Sequence, residues 1–85
     1  MAIEVKFFAS LKEALQEKSK VVDAQFEPST VQGLIDHLKA TWPGFDTVLT
    51  DVGYIRAAVN QNMAELDAPL ADGDEVALFP PVTGG

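Results

Sequence analysis

DGDEVALFPPVTGG, residues 72–85, combines a turn, a strand, a stop and a pair of glycines. Asp72-Gly73 marks a tight turn. From Glu75 to Phe79 the residues alternate, so Val76 and Leu78 share one face of a strand while Ala77 and Phe79 share the other. Pro80-Pro81 holds φ near about −65° and withholds two amide donors, so the strand cannot continue. Two glycines at these last two positions would arise by chance in roughly 0.5% of chains, so chance is a weak explanation for Gly84 and Gly85. Lacking β-carbons, they let the backbone thread a channel too narrow for other residues. Val82 to Gly85 reach about 13 Å when fully extended. That is enough to enter a site on another protein while the body docks outside, with the terminal carboxylate as the reactive group.

Working back from this strand, the rest of the chain reads as an α+β pattern. Ile3, Val5 and Phe7 alternate with Glu4, Lys6 and Phe8, which predicts a first strand and leaves Phe8 out of place on a polar face. Ser10 and Glu13 fit a capping box ahead of an apolar stripe of Leu11, Ala14 and Leu15. Val22, Ala24 and Phe26 predict a second strand ending at Pro28. Ser29 with Gln32, or Thr30 alone, can cap the main helix, whose Val31, Leu34, Ile35, Leu38 and Trp42 line one side before Pro43-Gly44. Phe45, Val48 and Leu49, bracketed by Gly44 and Gly53, predict an irregular or single-turn segment. Ile55, Ala57 and Val59 form a third strand. Asn60-Gln61-Asn62 then turns into a short strand over residues 63–66, completing a hairpin.

The 85 residues fit one domain, small enough to bury only a little over ~60% of the unfolded surface. Without cysteine, neither disulfides nor thiolate chemistry operates, and stability must come from packing. The N-terminal residues enter strand-like sequence directly, with neither a signal peptide nor a membrane span, so a cytoplasmic location is expected. The formal net charge of −7 repels phosphate backbones and anionic lipid, so neither nucleic acid nor a membrane is an expected partner.

Side-chain chemistry is sparse. His37, the one histidine, lies about 100° around from the apolar stripe of its helix and reads as a surface or boundary residue. Asp72, Asp74 and Glu75 lack the alternating ligand spacing of a calcium loop, so no metal is expected. Gly33, Gly44, Gly53 and Gly73 are scattered singly and form no phosphate cradle.

"VKFFA" at residues 5–9, "AAVNQ" at 57–61 and above all "DGDEVALFPPVTGG" at 72–85 resemble the ubiquitin-like sulfur carriers, in the branch of molybdopterin synthase small subunits. The resemblance spans essentially the whole chain and is least specific over residues 18–53. It implies a β-grasp fold: a mixed sheet wrapped around the helix from Val31 to Trp42, with the last strand parallel to the first. Residues 1–81 would be the β-grasp domain and 82–85 a flexible tail carrying Val82, Thr83, Gly84 and Gly85.

On that scaffold Phe8 and Phe79 fall on the uncovered face of adjacent strands, with Met63 alongside, as a docking patch beside the point where Pro80 and Pro81 launch the tail. The resemblance also implies the chemistry. An E1-like enzyme uses Mg-ATP to adenylate Gly85, and a persulfide donor converts the acyl-adenylate to a thiocarboxylate. Sulfur then passes to cyclic pyranopterin monophosphate inside the large subunit of molybdopterin synthase, in a heterotetramer of two small and two large subunits. No cofactor would be bound stably, and the catalytic side chains would belong to the large subunit. A sulfur carrier for thiamine thiazole synthesis and a non-catalytic ubiquitin-like interaction or modifier protein are the alternatives.

Overall fold

The computed structural model describes residues 1–81. Among them the chain runs β1 (Ala2–Phe7), α1 (Ala9–Leu15), β2 (Ser19–Asp23), α2 (Val31–Thr41), α3 (Phe45–Val52), β3 (Arg56–Val59), β4 (Asn62–Ala64) and β5 (Glu75–Phe79). The five strands form one mixed sheet in the order β2-β1-β5-β3-β4. β5 is parallel to β1, and the other neighbouring pairs are antiparallel. The last strand therefore lies at the centre of the sheet beside the first, as expected of a β-grasp.

One face of the sheet is the floor of the core. The register sets Val5 opposite Val76 and Phe7 opposite Leu78, and all four are buried. Ala57, opposite Leu78 on the other side, extends this apolar row across β3. α2 covers the floor with Val31, Leu34, Ile35 and Leu38, joined by Leu11 of α1 and by Phe45 and Leu49 of α3. Phe7 packs edge-on to Trp42 at 5.6 Å and to Phe45 at 6.4 Å, while Trp42 stacks on Phe45 at 5.4 Å. Each such pair adds about 0.5–1.5 kcal/mol beyond area burial, so the end of β1 is firmly anchored.

The start of α2 explains the loop before β5. Thr30 is the N-cap, its Oγ1 accepting from the amide of Gly33 at 3.1 Å, which selects it over Ser29. The two earlier amides, which no helical carbonyl can satisfy, donate to the loop: Val31 to Ala68 at 3.1 Å and Gln32 to Leu66 at 2.8 Å. Leu70 returns its amide to Ser29 and buries its side chain. Gly33 is buried where a β-carbon would lie 1.8 Å from the carbonyl oxygen of Pro28, so only glycine fits there.

Several expected boundaries are corrected. α1 begins before Ser10: its N-cap is Phe8, no side chain caps it, and Ala9 adopts φ 54°. The Ser10–Glu13 capping box therefore does not form. β2 spans Ser19–Asp23 because it follows β1, pairing Lys6 with Ser19 and Ala2 with Asp23. Phe26 buries itself from the segment beyond the strand.

The segment after Gly44 is a two-turn helix, not an irregular piece. Gly44 (φ 90°) and Gly53 (φ 89°) cap it, and Gly53 donates to Leu49 at 2.8 Å. Trp42 is the C-cap of α2 and lies just outside it. β3 starts at Arg56 instead of Ile55. The hairpin turns on two residues, Asn60 (φ 51°) and Gln61 (φ 71°), the left-handed pair of a type I′ turn, so β4 already begins at Asn62 and stops at Ala64.

Candidate functional site

The uncovered face of the sheet is set by parity. With Phe7 held in the aromatic cluster, its neighbours on β1 must point the other way. Lys6 stands opposite Ala77, Ala77 opposite Ala58, and Ala58 opposite Met63, forming one row across four strands. Phe79 stands opposite Arg56 in the next row. Phe8 sits just past the end of β1 with extended backbone (φ −128°, ψ 155°), and its amide donates to the carbonyl of Leu78 at 3.2 Å. The β1–β5 ladder thus continues one step, bringing Phe8 to the level of Phe79.

Phe8 is 47% exposed and Met63 56% exposed, whereas Phe79 is half-buried. The alanines between them leave a shallow apolar floor. Phe8 and Phe79 lie at the same end of neighbouring strands; Met63 lies at the β4 edge, separated from them by Ala58 and Ala77. Pro80 and Pro81 follow β5 directly and are half-buried. Val82, Thr83, Gly84 and Gly85, which carry the expected chemistry, lie outside the described residues.

Cations flank this face. Lys6 pairs with Glu75 at 3.0 Å, and that hydrogen bond and charge raise its pKa above the ordinary 10.5. Arg56 faces Phe79, and Lys12 and Lys18 stand near Phe8. Alternation alone places Lys6 outward. Lys12 and Lys18 carry no such signal, because a helix and a loop bring them to the site.

The remaining polar residues serve the fold. Asp74 Oδ2 accepts from the amide of Ala71 at 2.9 Å and its Oδ1 accepts from Asn60 Nδ2 at 3.0 Å, contacts that lower its pKa below the ordinary 3.8. Asn60 Oδ1 accepts from the amide of Glu75 at 3.0 Å, and Asp72 accepts from the amide of Ala2 at 2.6 Å. The Asp72–Glu75 stretch is therefore spent on tying β5 to the β3–β4 hairpin and to β1. His37 is half-buried with its ring 5.7 Å from that of Phe26. Among the described residues no cluster of three or more metal-ligating side chains occurs, and no helix is long and apolar enough to cross a membrane.

Comparison with known proteins places this geometry in context. The ThiS family profile matches residues 5–85. The chain is 46% identical over 83 residues to the molybdopterin synthase sulfur carrier subunit of Escherichia coli strain K12, covering 98% of this chain and 99% of that protein. Its fold is similar to the crystal structure of small archaeal modifier protein 1 from Haloferax volcanii, with a TM-score of 0.76, 33% identity and 100% of both chains covered. It is also similar to a chain in the complex of subunits 1 and 2 of molybdopterin-converting factor from Helicobacter pylori, with a TM-score of 0.66, 30% identity and 100% of both chains covered.

Proposed function

The chain belongs to the ThiS family, and from that premise we propose that it is the sulfur carrier subunit of a molybdopterin synthase, loaded and unloaded at the carboxylate of Gly85. One observation carries the reading. β5 runs parallel to β1 through the centre of the sheet and ends beside exposed Phe8, so the four residues after Pro81 start from an apolar face suited to docking. The near full-length similarity to a sulfur carrier subunit supports it.

A carboxylate is a poor electrophile and must first gain a leaving group. A Gly85 oxygen attacks the α-phosphorus of Mg-ATP on an E1-like enzyme, and pyrophosphate departs. The terminal sulfur of a persulfide then attacks the acyl-adenylate carbonyl, displacing AMP to give an acyl disulfide. A thiol reduces that disulfide, leaving a thiocarboxylate on Gly85. Its sulfur attacks a side-chain carbon of the pterin precursor, cyclic pyranopterin monophosphate, and the carbon–oxygen bond at that carbon breaks as the carbon–sulfur bond forms; water then cleaves the resulting thioester, leaving the sulfur on the pterin and returning Gly85 as a carboxylate.

In this reading residues 1–81 are a handle that docks through Phe8, Phe79 and Met63, and Gly84 is the residue that threads the partner's channel behind Gly85. The large subunit supplies the catalytic side chains and pairs with the carrier in a cytoplasmic heterotetramer of two small and two large subunits. No cofactor is bound stably by the carrier.

Incubation with the activating enzyme, Mg-ATP and a persulfide donor tests the loading step by intact mass, and transfer is tested by adding the large subunit and the pterin precursor. A second reading, a protein modifier, draws on the similarity to the small archaeal modifier protein. Isopeptide-linked adducts on target lysines, formed without any sulfur-loaded species, would favour it. Co-purification with a thiazole synthase instead of the large subunit would point to thiamine synthesis.

A further inference from the structure

The chain has 13 acidic residues and only 6 cations, yet four of those cations, Lys6, Lys12, Lys18 and Arg56, gather around the apolar face. Lys6, Lys12 and Lys18 line one pocket of about 290 Å³ with Phe7, Phe8 and Ser19. The pocket opens between the end of β1, α1 and the start of β2. Lys6 is held by Glu75, whereas Lys12 and Lys18 are exposed and pair with no carboxylate among the described residues. Self-repulsion within an acidic body cannot be the reason for this grouping, since spreading the cations among the carboxylates would relieve it better.

We propose that this pocket is a carboxylate-accepting subsite of the docking face: an Asp or Glu side chain on the rim of the large subunit enters it, held by the ammonium groups of Lys12 and Lys18 beside Phe8. Charge complementarity selects this occupant. An apolar partner surface would leave both ammonium groups desolvated without a counter-charge, and a basic one would be repelled by them. Two different segments supply the cations, so the subsite also fixes the orientation in which the Phe8–Phe79 patch can seat. This inference rests on the docking reading above.

The test measures binding of the full-length carrier to the large subunit encoded in the same genome, at about 50 mM and about 500 mM NaCl, a range that strongly alters screening. Lys12→Glu with Lys18→Glu is expected to weaken binding at least about tenfold at low salt, and Lys12→Gln with Lys18→Gln to give a smaller loss and a flatter salt dependence. Both sites are exposed, so thermal melts should match the parent protein. A zero-length carbodiimide should join Lys12 or Lys18 to an Asp or Glu of the large subunit.

Binding within twofold of the parent, with no such cross-link, overturns the subsite while leaving the docking face intact, provided Phe79→Asp still weakens binding by about tenfold or more. If Phe8→Asp and Phe79→Asp also bind normally, the docking reading falls as well. Perturbation of Lys12 and Lys18 resonances in the isolated carrier by inorganic phosphate at about 10 mM, with equal competition against the large subunit, would reassign the pocket to a free anion.

Discussion

The amide of Phe8 donates to the carbonyl of Leu78 at 3.2 Å, one step beyond the last paired residues of the parallel β1–β5 ladder. This bond joins the first strand to the last at the edge of the apolar face. It holds the backbone of Phe8 while leaving the ring outside, so the ring can be changed without breaking the ladder.

Phe8→Asp and Phe79→Asp should therefore weaken binding to the large subunit by about tenfold or more, as expected for aromatic anchors near an interface centre. Phe8→Asp should change folding stability by no more than about 0.5 kcal/mol, and the half-buried Phe79 by about 1 kcal/mol more. Titration calorimetry beside urea melts separates the two effects. Unchanged affinity for both variants removes the patch from the mechanism.

Gly33→Ala should destabilise the fold by about 2–4 kcal/mol, because a β-carbon 1.8 Å from the Pro28 carbonyl oxygen forces α2 away from the segment that precedes it. The opposing atom is backbone and cannot rotate aside. A denaturation midpoint equal to that of the parent would show that the contact yields.

Asp74 makes stability depend on pH in a definite direction. Its folded pKa lies below 3.8 because Ala71 and Asn60 donate to the ionised form. The unfolded chain therefore takes up the proton first. The contribution is fully present above the unfolded value and is lost as pH falls through the folded one. Asp74→Asn should lower the urea midpoint at neutral pH, and the gap between variant and parent should narrow as pH falls below 3.8. A gap that stays constant throughout the acid limb would contradict the assignment.

Gly84→Val should cut sulfur transfer by roughly a hundredfold, the scale expected when a reacting group is misplaced by about an ångström. Binding through residues 1–81 should persist. The check is single-turnover transfer from pre-loaded carrier, so a defect in activation cannot be mistaken for one in threading. Full transfer by this variant would mean that the channel is wider than a glycine thread requires.

Much of this fold is legible in the sequence where a local rule meets no competitor. β5 is bounded by a turn and a proline pair, and the outward placement of Phe8 and Phe79 follows from period-2 parity once Phe7 is inside. α2 is set by its apolar stripe and by Thr30. Other elements depend on what they meet. β2 takes its limits from β1, so Val22 pairs with Ile3 while Phe26 packs from outside the ladder. α1 starts at Ala9, an alanine with φ 54° that no propensity rule favours. For α3 the signal is present but easily misread: Phe45, Val48, Leu49 and Val52 form a helical stripe, and Gly44 and Gly53 cap it instead of breaking it. The pocket at Lys12 and Lys18 is lined from residues 6–19 alone, but neither alternation nor helical spacing marks it, because it depends on how α1 folds back between β1 and β2.

Sulfur loading at the C-terminus is tested most directly by intact-mass and fragment-ion spectrometry of the full-length chain after reaction with its activating enzyme, Mg-ATP and a persulfide donor. Exchange of one oxygen for one sulfur, confined to the fragment that contains Gly85 and absent from a variant extended by one residue, is the expected result. An unchanged mass with an enzyme preparation proven competent on another carrier, or sulfur incorporated equally well in the extended variant, would contradict it.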